Sequence, residues 1–163
     1  MDSEYFSPNI DQLLKIDASR LPVTIAIELV KIRRHANFLE KNNLAVYSDY
    51  GRQPKRAAIF RFMLETYNSR VNIAFTKIES ENLPSMALEL DNILVQMDAL
   101  GESLGNTSVS RNYHQAKEIE LHLLTSLKVV KQRVLNKMSL RKHKSKATLA
   151  AILSEEEKAA LLF

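Results

Sequence analysis

The chain has no cysteine, which rules out disulfide staples, thiol nucleophiles and thiolate metal sites together and fits a reducing compartment. Glycine occurs three times and proline four times in 163 residues, so turn chemistry is scarce. No run of about 18 apolar residues occurs, so no segment is apolar over the length a spanning helix needs. The opening "MDSEYFSPN" has neither a basic stretch nor an apolar core of the kind an export signal carries, so the expected location is cytoplasmic, or nuclear in a eukaryote. Catalytic signatures are also missing. There is no glycine-rich phosphate loop, no HExxH and no Glu-x-x-His pair of the di-iron type, so neither an enzyme nor a cofactor is expected.

What is present is helix-forming material in which apolar residues make up 45% of the chain, enough for one sizeable core. The prolines divide it. Pro8 opens a short helix through Leu13, Leu14 and Ile16, and Pro22 opens a longer one to about Asn43, striped by Ile25, Leu29, Ile32, Ala36 and Leu39. The stretch "NNLAVYSDYGRQ" reads as a loop before a helix from Pro54, striped by Ala57, Phe60, Leu64, Tyr67, Val71, Ala74 and Ile78. Pro84 begins the next, with Met86, Leu90, Ile93, Met97, Leu100 and Leu104 and with Gly105 as its C-terminal cap. After "NTSVS" the longest helix carries Ile119, Leu123, Leu127, Val130, Val134 and Met138. Ser154 and Glu157 form a capping box for a last short helix ending at Phe163.

The first and third stripes coincide under a shift of 61 positions, and Phe60, Leu64, Tyr67, Val71 and Phe75 map onto Leu123 to Met138 under a shift of 63. The expected fold is therefore all-α: a four-helix bundle built from two stacked helical hairpins, with short N- and C-terminal helices. Residues 1–141 form the helical domain, and residues 142–163 a basic linker with a short C-terminal amphipathic helix.

Charge is distributed unevenly. Between Ile78 and Ser110 there are six acids and no Lys or Arg; between Leu121 and Ser154 there are eight cations and no acid. The eight are Lys128, Lys131, Arg133, Lys137, Arg141, Lys142, Lys144 and Lys146. Since the whole chain is +4, the remainder is 4 − 8 = −4. Pairing of the acidic helix with the basic one accounts for part of this, as does the preference of a helix C-terminus for cations. Arg141 falls on the apolar stripe itself, so core contact is expected to end near Met138 and "SLRKHKSK" to project beyond it.

Such a density of positive charge attracts phosphates, and with no aromatic residue between the cations any nucleic-acid contact is expected to be to backbone and of low specificity. A plain solvated arm, or one that meets an acidic protein or a lipid surface, is the alternative. Arg52, Lys55 and Arg56 add a second basic group at a helix start, where the dipole disfavours them. Leu149, Ile152, Leu153, Leu161, Leu162 and Phe163 are too apolar for a free tail and either fold back or dock on a protein partner. His114, Glu118 and His122 stand four apart and could hold a metal, but they read more simply as surface side chains, and no metal is expected.

The expected function is thus a non-enzymatic binding module, an accessory or assembly subunit contacting nucleic-acid backbone through its basic arm. A protein adaptor or chaperone-like bundle using the C-terminal apolar helix is the alternative, and self-association is open to either. The segment "LPSMALELDNILVQMDAL", the long helix with Arg133 and Lys137, and "LSEEEK" together resemble the helical layout of GINS replisome subunits over about half the chain. The small β-domain of those proteins is missing. The resemblance implies membership of a nucleic-acid-associated assembly.

Overall fold

A computed structural model of the chain describes residues 22–48 and 56–140. It is predominantly helical, in the order α1 (Pro22–Lys41), β1 (Val46–Ser48), α2 (Arg56–Phe75), α3 (Leu83–Glu102), β2 (Thr107–Val109) and α4 (Arg111–Leu140). The expected helices at Pro8 to Ile16 and Ser154 to Phe163, and the linker after 141, lie outside the described residues. No described helix is long and apolar enough to cross a membrane.

Each helix follows its apolar periodicity. On α1 the buried residues are Pro22, Ile25, Leu29, Ile32, Ala36 and Leu39, the predicted stripe plus its opening proline. The helix stops in a Schellman turn: Asn43 takes φ 57°, its N–H reaches the Glu40 carbonyl, and the Leu44 N–H reaches that of Leu39. On α2 the stripe drifts. Met63, Tyr67, Val71 and Ala74 are buried, whereas Phe60 and Leu64 are half-buried and Ala57 is exposed. Helix α3 buries Met86, Leu90, Ile93 and Met97 and ends at Glu102, capped by Ser103, so Gly105 sits two residues past the cap. Its φ of 72° serves the turn into β2 rather than the cap itself. The Ser110 hydroxyl accepts the Tyr113 N–H and so caps the start of α4.

Two segments that read as loops contain strands. Val46, Tyr47 and Ser48 pair antiparallel with Val109, Ser108 and Thr107 respectively. Three residues are too few for a period-2 pattern to register, although Val46 and Val109 both face the core. The strands also alter the helix pairing that the sequence suggested. Helix α1 packs chiefly on α4, and α2 on α3, because β1 carries the chain across the molecule between α1 and α2.

This arrangement has the form of a two-fold. A shift of 61 carries Pro22–Lys41 onto Leu83–Glu102 and Val46–Ser48 onto Thr107–Val109. The central ladder pair, Tyr47 and Ser108, is itself related by that shift. Exchanging the halves turns the α1–α4 contact into the α3–α2 contact, which is what a rotation axis through the ladder would produce.

Gly101, buried on α3, permits the close approach of β2: a Cβ there would overlap the Thr107 carbonyl. Ala for Gly inside a helix ordinarily stabilises by about 0.5–1 kcal/mol. Gly101→Ala is expected to do the opposite, costing about 1–3 kcal/mol through overpacking against backbone. The measurement is the urea midpoint; an unchanged or raised midpoint contradicts the close approach.

Candidate functional site

Helix α4 carries both of the candidate groups. Its C-terminal third is basic. Lys128 and Arg133 are exposed, Lys131 and Lys137 are partly so, and Arg133 and Lys137 make contacts of their own. Helices α1 and α4 run antiparallel, with Glu40 level with Tyr113 and Arg33 level with Glu120. Continuing that register puts Pro22 level with Lys131, so the later cations lie past the start of α1. The apolar seam continues through Val134, fully buried, to Met138 at the edge of the core.

The acidic and basic helices meet in an ion pair at the other end of α4. Asp98 meets Arg111 at 3.9 Å, and Glu89 is taken by Lys77 of the preceding turn. Of the second basic group, Arg56 lies over the Phe60 ring at 4.8 Å, a cation–π contact that offsets its unfavourable place at a helix start. Arg52, Lys55, Arg141, Lys142, Lys144 and Lys146, with the apolar set from Leu149 to Phe163, lie outside the described residues.

The N-terminal half of α4 carries a polar network in the interior. His114 and His122, which read as surface residues, are only 4% and 3% exposed. The phenol of Tyr67 (α2) lies 2.7 Å from His114 Nδ1, and Glu118 Oε1 lies 2.8 Å from Nε2. Asp91 of α3 approaches the same Nε2 to 3.4 Å. Beside it, the Tyr113 hydroxyl faces Glu40 of α1 and Asn68 of α2, and its single proton goes to the carboxylate, the stronger acceptor. Tyr67 joins the two groups, its ring tilted against that of Tyr113 at 5.7 Å. Further along, Glu120 receives Arg33 at 3.0 Å and Lys117 at 3.8 Å. Every helix thus contributes a polar side chain to α4.

The electrostatics follow from these contacts. The hydrogen bond from His114 holds the Glu118 carboxyl below the usual carboxylate range, against burial, which pushes it up. Burial holds His122 below the usual histidine value. Burial likewise pushes both phenols up, Tyr113 with a further contribution from Glu40, so both hydroxyls keep their protons. A cleft of about 290 Å³ opens next to Glu40, lined also by Asn43, Phe60, Arg61 and Leu64.

The geometry defines a small helical domain with a polar interior. The chain belongs to the family described as the SNIPE associated domain, whose sequence model matches residues 24–132. The match covers the helices and the whole polar network and ends within the basic third of α4. No curated protein and no solved structure matches the chain.

Sequence reasoning found His114 and Glu118 but not their partners. Tyr67 and Asp91, and the Glu40 and Asn68 that face Tyr113, come from three other helices, and only the four-residue spacing on α4 was visible locally. Tyr113→Phe removes the donor that faces Glu40 and is expected to cost about 1–3 kcal/mol. Denaturant unfolding measures it, and a loss near zero contradicts the bond.

His122 gives a pH dependence. As pH falls through about 6.5 the unfolded chain takes a proton there that the folded one does not, so stability falls until the folded imidazole also titrates. Wild type should therefore lose more stability than His122→Leu between about pH 7.5 and about pH 5.5. Equal losses in urea unfolding contradict the assignment.

Proposed function

We propose that the protein is a non-enzymatic binding module, a four-helix bundle serving as an accessory or assembly subunit, whose basic helix end contacts nucleic-acid backbone. The observation that carries this reading is the one-sided charge of α4. Both of its acids, Glu118 and Glu120, lie in its first third and are engaged internally by His114, Arg33 and Lys117. From Leu121 to Ser154 eight cations follow with no acid among them. At 30 residues α4 is also half as long again as the other helices, which places part of this charge past the start of α1. A field of this kind draws phosphates and releases their counterions.

Binding to duplex and single-stranded oligonucleotides should weaken steeply with salt, the log affinity falling by about 0.9 per log unit of salt for each duplex phosphate neutralised. Replacing Lys142, Lys144 and Lys146 by Glu should lower affinity and flatten that slope. Unchanged affinity in the triple variant overturns the reading.

A protein adaptor is the second reading, and one surface favours it. Val23, Ile27 and Val30 lie at helical spacing on one face of α1, each 45–51% exposed. Under this reading, Val23→Lys, Ile27→Lys and Val30→Lys together, or trimming the chain after Ser145 if the C-terminal apolar set is used instead, abolish capture of a protein partner that charge reversal of the basic arm leaves intact.

A further inference from the structure

We propose that Asp91, His114 and Glu118 form a binding site for a divalent transition-metal cation of the zinc class, bridging α3 and α4. One donor atom from each lies within 4.8 Å of the others. Two ligands of a single tetrahedral zinc, at bond lengths of about 2.0–2.1 Å, stand about 3.3 Å apart. His114 Nε2 and Asp91 Oδ1 stand at 3.4 Å, already the edge of such a tetrahedron. Nε2 and Glu118 Oε1, at 2.8 Å, need to separate by about half an ångström, which rotation of a long glutamate side chain supplies. The donor set, one imidazole and two carboxylates, is that of many zinc and related sites.

Three independent features point the same way. First, both carboxylates converge on one ring nitrogen, yet among the described residues no Lys or Arg pairs with either of them. An imidazole offers one proton at Nε2, whereas a dication answers both charges. Second, Tyr67 fixes the ring from behind. Its hydroxyl, at 2.7 Å from Nδ1, is the outer partner that ligating histidines ordinarily have, and it directs Nε2 toward the carboxylates. Third, His122 lies one turn beyond Glu118 on the same face, 3% exposed, and neither of its ring nitrogens has a hydrogen-bond partner. A buried imidazole left in this way is costly, and it stands one helical turn from Glu118. Such a cation would fasten α3 to α4 and, through Tyr67, to α2. It is independent of the nucleic-acid reading, which concerns the far end of α4.

The test uses the full chain stripped with a chelator and titrated with Co²⁺, then with Zn²⁺ in competition. One equivalent of Co²⁺ should bind with the ligand-field absorption of a nitrogen–oxygen site, and Zn²⁺ should displace it. The Asp91 side chain is 63% exposed, so Asp91→Asn leaves the fold intact and should weaken Zn²⁺ binding at least tenfold. Tyr67→Phe, which keeps the ring, should weaken it by about 10- to 100-fold. Asp98→Asn, one carboxylate outside the cluster on the same helix, should leave it unchanged. Absence of Co²⁺ binding by the wild-type chain overturns the proposal. Equal affinity in Asp91→Asn overturns it as well.

Discussion

The structure depends on the enclosure of the middle of α4. From Ile119 to Leu127 every residue but Leu124 is buried, on all sides of the helix rather than along one stripe. A helix enclosed in that way cannot turn its polar residues to water. Glu120, His122, Thr125 and Ser126 are all buried, and so is His114 one turn earlier. Each buried polar group must find a partner inside or cost free energy. Thr125 finds one locally, donating to the Leu121 carbonyl at 2.8 Å. Glu120 and His114 take theirs from neighbouring helices, Arg33 of α1 and Tyr67 of α2, whereas His122 is left without one, and this requirement links the fold to its polar interior.

The partners come from every direction. Arg33 and Glu40 reach α4 from α1, Tyr67 and Asn68 from α2, and Asp91 from α3. Polar contacts of this kind are directional, so they fix the axial position of each helix against α4, which apolar packing alone specifies loosely. The two-stranded ladder supplies the remaining restraint, clamping the connection after α1 to the one after α3. The same helix then changes character. Past Leu127 its acids are exhausted and its surface is cationic, so one element is scaffold over its first half and charged surface over its second.

Much of this was legible in the sequence. The proline punctuation placed α1, α2 and α3, and the stripe of α4 from Ile119 to Met138 held to its end. The enclosure of α4 was not legible, because periodicity reports the face that meets one neighbour and is silent about polar residues that meet others. His114 and His122 were therefore read as surface. The ladder escaped for a different reason: Val46 to Ser48 and Thr107 to Val109 are each shorter than a recognisable strand pattern, and their pairing spans about 60 residues of chain. Gly101 gave no local signal, since its role is set by a carbonyl of β2. The 61-residue shift, by contrast, was present in the stripes before any coordinates and reappears in element bounds and strand register.

Amide hydrogen exchange tests the enclosure of α4 most directly. If the helix is covered on all sides and tied to each neighbour, the amides of residues 119–127 should exchange only through global unfolding, with the highest protection in the chain and with equal protection on every face of the helix. Faster exchange on one face, or protection below that of α1, would show that α4 is an ordinary half-covered helix and would contradict the account.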